Sequence, residues 1–392
     1  VVKPTNQPNQ LSAFAVTAPG LEALCASELA ALRIRGVAEE GGVAFKGSLE
    51  HIARANLWLR TTSRVLVRVA EFRATAFFEV EKQAKQLQWK RWVGAGGEVE
   101  FRVTCRKSKL YHSDAVAQRF ATAVEWEVKG AKAVKGKDGD KDADDEAGPG
   151  TGERQLFIVR FVKDVCTVSV DSSGALLHFR GYRQQLAKAP LRETLAAAVL
   201  LGSGWKGDTP FDDPMCGSGT IPIEAALMAR RIAPGSRRSF AFLRWPETDA
   251  TMWNTMLESA RAAELPATPV AIAGADRDEG AIAAATANAE RAGVASDITF
   301  SVQPVSALSR AAGPGLVASN PPYGVRIGDT GALRNLYAQF GNVLRRQRPG
   351  WDVALLSADR PLEHQTRLPF EDRLRTRNGG IPVHLVVARV PA

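Results

Sequence analysis

The stretch Phe211-Asp212-Asp213-Pro214-Met215-Cys216-Gly217-Ser218-Gly219-Thr220-Ile221-Pro222 decides the fold. A short strand-like run over 210–213 stops at an acid. The chain then passes through a Gly-Ser-Gly turn into 221–230, whose pattern reads as a helix. Strand, tight turn and helix in that order are the unit of an open parallel sheet. The same rhythm runs on. It predicts a preceding helix over 191–201, strands over 270–275, 298–302, 316–319 and 353–356, and helices over 279–292 and 333–344. Residues 373–390 carry Asn378-Gly379-Gly380 between two strand-like arms, a hairpin signal. The expectation for 189–392 is an α/β domain on a seven-stranded sheet, five parallel strands closed by an antiparallel hairpin.

Upstream the rhythm is α+β. Residues 11–69 read as one small unit, with strands over 13–18, 43–45 and 65–69 and helices over 21–32 and 49–58. Residues 70–171 read as a second unit. It has helices over 77–92 and 113–128, a strand over 99–104, and a hairpin of 156–162 with 166–171. Residues 129–154, rich in Gly, Lys and Asp, hold almost no large apolar side chain and are expected to be a disordered insertion. Residues 172–188 are read as a linker. Residues 232–269, with Trp245, Trp253 and several prolines, look inserted, as a helical flap over the site or as elaboration.

The chain has 392 residues, 45% apolar and 24% charged, enough for two or three packed domains. Its formal net charge of +9 favours a polyanionic partner. Cys25, Cys105, Cys166 and Cys216 lie far apart without a CxxC pair, which argues against a zinc ribbon or a disulfide scaffold. The five histidines show no metal-ligand spacing, so no metal is expected. No run of about 18 apolar residues is present, so no membrane partner is expected and the cytoplasm is the expected setting.

In an open parallel sheet, ligands sit at the carboxyl ends of the strands. There Gly217 and Gly219 leave the backbone unobstructed. The helix N-terminus beyond them suits an anion such as the carboxylate of a methionyl group, and Asp213 can meet its ammonium. Pro214, Cys216, Ser218 and Thr220 complete the candidate cofactor loop. The GxG is not continued to GxGxxG and a P-loop lysine is absent, which lowers NAD and ATP; an ordinary glycine turn is the bland alternative. Asp276, followed by Arg277, ends the next strand, where a carboxylate can accept both ribose hydroxyls of a nucleoside or cap a helix. The candidate target segment is Asn320-Pro321-Pro322-Tyr323-Gly324. The prolines fix the backbone, Asn320 offers an oxygen to an amine N–H, and Tyr323 offers a flat face. An exocyclic amine is a poor nucleophile. Accepting its hydrogens beside a sulfonium methyl favours the reactive geometry.

These motifs resemble those of class I S-adenosylmethionine-dependent methyltransferases acting on an exocyclic amine. The Asn-Pro-Pro-Tyr form is shared by adenine-N6 and guanine-N2 enzymes. Residues 105–116 (Cys105-Arg106-Lys107-Ser108-Lys109-Leu110-Tyr111-His112 onward), Gly181-Tyr182-Arg183 and 189–196 are similar to THUMP-domain RNA methyltransferases, nearest to the bacterial 23S rRNA guanine-N2 type. The resemblance implies a ferredoxin-like domain, a THUMP RNA-binding domain and a Rossmann-like methyltransferase domain. It also implies S-adenosylmethionine at Asp213, Gly217, Gly219 and Asp276, and the base at Asn320, Pro321 and Tyr323. Related enzymes often carry an acid near the cofactor adenine; here Gln303 or Ser306 stands in that region. Some relatives carry a second methyltransferase domain, and this sequence is expected to provide a single activity. Arg102, Arg106, Lys107, Lys109 and Tyr111 are the candidate RNA contacts, cations for phosphates and an aromatic for an unpaired base. Three other readings remain beside rRNA: a tRNA guanine-N2 enzyme, a DNA adenine-N6 enzyme, and a non-catalytic RNA-binding assembly factor.

Overall fold

The computed structural model describes residues 3–4, 10–134, 154–183, 191–311, 313–323 and 330–392. The chain forms two compact units, each built from separated stretches. The first comprises residues 1–17, 25–177 and 238–258; the second comprises 18–24, 178–237 and 259–392.

The first unit contains β1 (Lys3–Pro4), β2 (Leu11–Thr17), most of α1 (Glu22–Ala31), β3 (Gly36–Glu39), β4 (Gly42–Gly47), α2 (Leu49–Trp58) and β5 (Thr62–Arg73). It continues through α3 (Phe77–Ala84), β6 (Glu98–Arg106), α4 (Ser113–Glu127), β7 (Lys132–Val134), β8 (Gln155–Val162) and β9 (Val165–Asp171). Its strands form one nine-stranded sheet in the order β3-β4-β2-β5-β9-β8-β6-β7, with β1 also on β5. The twelve-residue β5 pairs antiparallel with β2 over its first part and with β9 along most of its length. A boundary near residue 69 therefore falls inside a strand that both expected N-terminal domains share.

The helix expected over 77–92 ends at Ala84. The chain leaves it to bury Trp89, whose indole N–H donates to the Ala84 carbonyl at 2.9 Å. Trp89 packs edge-on against Phe157, with centroids 5.2 Å apart, and against Phe101 and Phe120. Within 129–154, residues 132–134 are ordered as β7, parallel to β6, contrary to the expected disorder; 135–153 lie outside the described residues. Residues 238–258, within the stretch that looks inserted, pack within this first unit. Trp245 meets Trp92 edge-on at 4.9 Å and donates its indole N–H to Gln155 at 2.8 Å. A tryptophan so buried needs a partner for that N–H, and β8 supplies it.

The second unit carries α5 (Glu193–Ser203), β10 (Phe211–Asp213), α6 (Thr220–Ala229), the last part of α7 (Ala250–Ala262), β11 (Ile272–Asp276), α8 (Glu279–Ala292) and β12 (Ile298–Val302). Then come β13 (Leu316–Ser319), α9 (Thr330–Gln347), β14 (Asp352–Ser357), α10 (Arg360–Gln365), β15 (Glu371–Asn378) and β16 (Ile381–Arg389). The seven-stranded sheet has the order β12-β11-β10-β13-β14-β16-β15. The first five strands are parallel and the last two antiparallel, as the sequence predicts. Apolar side chains cover both faces: Ile221, Ile223, Ala354 and Leu385 belong to one cluster, and Phe340, Leu344, Val353 and Val386 to the other. The excursion 18–24 belongs to this unit. Leu21 is fully buried in the first cluster, and a Cβ on Gly20 would stand 1.7 Å from the Arg375 carbonyl oxygen.

Candidate active site

The chain leaves β10 toward β11 and β12, then returns to add β13 on the other side of β10. This reversal opens a crevice at the carboxyl ends of β10, β11 and β13. Asp213 is the last residue of β10, Asp276 the last of β11, and Asn320 follows the last of β13. Parallel registers bring these ends to one edge, with Asp213 beside Gly274 and Asp212 beside Val317.

The cofactor loop is fastened from both ends. The Cys216 N–H donates to the Ala275 carbonyl at 2.9 Å, and the Gly217 N–H donates to an Asp276 carboxylate oxygen at 3.0 Å. Gly219 caps α6 with φ +79°, a left-handed conformation that favours glycine, and a Cβ there would lie 2.8 Å from that of Ala285. Gly217 has φ +53°, and a Cβ there would meet nothing within 4 Å. One glycine is required by close packing, while the other lines open space where a ligand can approach the backbone.

Asp213 is only 1% exposed. Its neighbour Asp212 has Arg348 at 2.6 Å, whereas Asp213 has no cation partner among the described residues. Burial pushes the Asp213 carboxyl up to about 8, against the opposing pull of the nearby Ser319 hydroxyl and the Met215 N–H, while the Asp212 and Asp276 carboxylates add to the rise. A buried acid in this state is suited to a ligand cation. The cap of α8 is Asp278, which accepts from the Ala281 N–H at 3.0 Å. Asp276 is thereby spared capping. It accepts from the Gly217 and Asp278 N–H groups, which aim its remaining lone pairs. Arg277 is exposed beside it, and Pro214 and Cys216 are buried. The Cys216 thiol is pushed far up by burial and then by the Asp213 and Asp276 carboxylates, so it stays neutral.

A buried network backs the loop. Arg183 pairs with Glu193 at 3.3 Å and donates to the Thr220 hydroxyl at 3.2 Å. Tyr182 donates to Glu224 of α6 at 3.2 Å. Burial pushes the Glu193 carboxyl up to about 7, with Arg183 opposing the shift. The segments Gly181-Tyr182-Arg183 and Leu191-Arg192-Glu193 thus brace the cofactor loop; Ala189 and Pro190 lie outside the described residues. Val302, 53% exposed, ends β12 directly beside Asp276. Sequence patterning does not single it out, since only its position at the strand end gives it meaning.

At the target segment, the Asn320 side-chain oxygen is buried and has no hydrogen-bond partner among the described residues. An unsatisfied buried acceptor costs about 1–3 kcal/mol and suits an amine donor from a substrate. Tyr337 donates its hydroxyl to the Pro322 carbonyl at 3.3 Å, and the Asn378 amide donates to the Tyr323 hydroxyl oxygen at 2.9 Å. Pro321 is buried at the base of the turn, and Gly324 lies outside the described residues.

The structure therefore gathers Asp213, Gly217, Gly219, Asp276 and Asn320 at one sheet edge. The donors fit S-adenosylmethionine: an unpaired buried acid for the ammonium, a helix N-terminus for the carboxylate and an aimed carboxylate for the ribose. Of the candidate RNA contacts, Arg106 is exposed at the end of β6, Lys107 and Lys109 are exposed in the turn after it, and Tyr111 is 70% exposed. That turn is held by Asp164, which accepts from the Lys109 N–H at 2.7 Å. Arg102 stands apart from them. It is half-buried within β6 and pairs with Glu100 at 2.9 Å.

Residues 180–386 match the family model described as the RMKL-like methyltransferase domain, and residues 12–66 match the RlmL ferredoxin-like domain. Among curated relatives, a candidate RNA methyltransferase of Synechocystis sp., slr0064, is 33% identical over 95% of both chains. The ribosomal RNA large subunit methyltransferase K/L of Syntrophotalea carbinolica is 37% identical over 95% of this chain, which spans only 53% of that relative's length. The crystal structure of SMU.472, a methyltransferase candidate complexed with SAH, superposes with a TM-score of 0.84 at 30% identity, over 98% of this chain and 99% of that one. Sheet order, loop geometry and these matches agree that the chain belongs to the family of RMKL-like methyltransferases.

Proposed function

We propose that this chain transfers a methyl group from S-adenosylmethionine to the exocyclic N2 of a guanine in RNA, with large-subunit rRNA as the substrate class. The observation that carries the reading is the buried oxygen of Asn320, without a partner among the described residues, on the sheet edge that also holds Asp213 and Asp276. The cofactor supplies an electrophilic methyl group on sulfur. Asp213 neutralises the ammonium, Asp276 accepts from the ribose hydroxyls, and Val302 offers an apolar shelf for the adenine. Asn320 accepts from the target amine and orients its lone pair, and the Pro321 carbonyl serves as a second acceptor. The face of Tyr323 carries the base. No strong base is needed, because the nitrogen becomes acidic as the methyl arrives. The rRNA assignment draws on the K/L relative, a ribosomal RNA large subunit methyltransferase. The test is transfer of tritium from labelled S-adenosylmethionine to rRNA, tRNA and DNA, with nucleoside analysis. Label in 2-methylguanosine from large-subunit rRNA supports the reading. Label confined to tRNA changes the substrate, and label confined to DNA adenine overturns the assignment.

Residues 70–171 are proposed to act as a THUMP RNA-binding module through the turn after β6. Arg106 at the end of β6 and Lys107 just after it are exposed cations suited to phosphates. Replacing both with alanine is expected to weaken RNA binding about tenfold at low salt and to flatten its salt dependence, with cofactor affinity unchanged. Titrations at two salt concentrations check this. Unchanged RNA affinity would remove the surface from the model of binding.

A further inference from the structure

We propose that Asn378 and Tyr337 are positioning residues that clamp the target loop, fixing Tyr323 as a stacking face. The proposal rests on the reading of Asn320–Tyr323 as the target slot. Pro321 and Pro322 lack N–H groups, so two successive residues of this loop cannot donate backbone hydrogen bonds. The loop must be held through its carbonyls and its side chains. Two elements provide this, the helix that follows the loop and the terminal hairpin. Tyr337, 1% exposed on α9, donates to the Pro322 carbonyl at 3.3 Å. Asn378, the last residue of β15, donates to the Tyr323 hydroxyl oxygen at 2.9 Å.

Both anchors are themselves rigidly placed. Asn378 faces Ile381 across a tight turn in which Gly379 and Gly380 have φ of +53° and +84°. That conformation suits a two-residue hairpin turn. Tyr337 packs with Leu333 and Leu362. Burial, reinforced by the Glu363 and Asp359 carboxylates, pushes its phenol well above the ordinary range, so its proton remains available to Pro322. Tyr323 lays its ring against the apolar cluster that includes Ala318 and Leu385. With its oxygen engaged by Asn378 and its ring packed against the core, the side chain is held at two points.

A double-mutant cycle tests the clamp. Tyr323→Phe and Asn378→Leu each remove one half of the same hydrogen bond. Each is expected to lower kcat for RNA about tenfold, the effect of one lost hydrogen bond, with the Kd for S-adenosylmethionine unchanged. The double variant is expected to lose no more than either single variant. Tyr337→Phe should also lower kcat and leave cofactor affinity intact. Losses that multiply in the double variant would overturn the proposal. A second measurement needs no turnover: amide hydrogen exchange at Asn320 and Tyr323 should quicken in Asn378→Leu and in Tyr337→Phe, while β14 stays protected. Unchanged exchange at those amides would likewise overturn it. A wild-type protein that methylates no RNA would defeat the proposed function, and the exchange result would still decide the clamp.

Discussion

Asn320→Ala is expected to lower kcat for methyl transfer by a factor of about 10²–10³ while leaving S-adenosylmethionine affinity within about twofold. The magnitude follows from removal of one preorganised polar group from a dry site. Asn320 is the residue to which this applies because its oxygen is already desolvated and has no partner among the described residues. The cost of stripping water from it is met during folding, and substrate binding recovers it. Alanine removes both the cost and the recovery, so the folded protein should be no less stable than the wild type. Single-turnover transfer and cofactor calorimetry on the same preparation check the two halves. A parallel loss of cofactor affinity would place Asn320 in the cofactor site instead.

Asp213→Asn is expected to weaken S-adenosylmethionine binding by about 2–5 kcal/mol and at the same time to stabilise the free protein above neutral pH. The first effect is that of removing one partner from a buried charge pair. The second follows from linkage. The folded carboxyl titrates at about 8, against an ordinary value of 3.8. The folded state therefore holds this proton more tightly than the unfolded chain. The associated stability is fully present below about pH 4 and is lost as pH rises through about 8. Asparagine cannot ionise and escapes that loss, so Tm at pH 8–9 should rise by about 2–4 °C or more. Cofactor affinity in the wild type should increase by up to about tenfold per pH unit between 6 and 8, because the acid must shed its proton to pair with the ammonium. The same titration on Asp213→Asn should be flat. A flat wild-type profile would mean that Asp213 is already ionised without ligand.

What was legible in the sequence was local. Glu279–Ala292 has an aspartate cap at one end and Gly293 with φ +71° at the other, and both ends fall where the pattern places them. The hairpin about Gly379 and Gly380 is equally plain, because positive φ at both turn residues leaves few other choices. The cofactor loop was readable for the same reason. Distance along the chain defeated the rest. Nothing near Asn378 or Tyr337 announces contact with residues 55 and 15 positions away. Arg102 sits in a run of cations, yet the strand turns it toward Glu100 and away from the exposed turn. The four-residue β3 and six-residue α10 are too short to set up a periodic pattern. Trp245 reads as part of an insertion, and only its partners Trp92 and Gln155 show where it belongs.

The interleaving of the two units bears on how the polypeptide is made. The chain passes from one unit to the other at residues 17, 24, 177, 237 and 258. Synthesis runs from the N-terminus, so the first unit must wait for Trp245 and Trp253 until after α6 of the second has left the ribosome. Leu21, made before the rest of the core it fills, must in turn wait for it. Neither unit corresponds to one uninterrupted piece of gene. A cut between residues 177 and 178 would strip the N-terminal fragment of Trp245 and Trp253 and the C-terminal fragment of Leu21, so the two units are inherited, expressed and matured as one object.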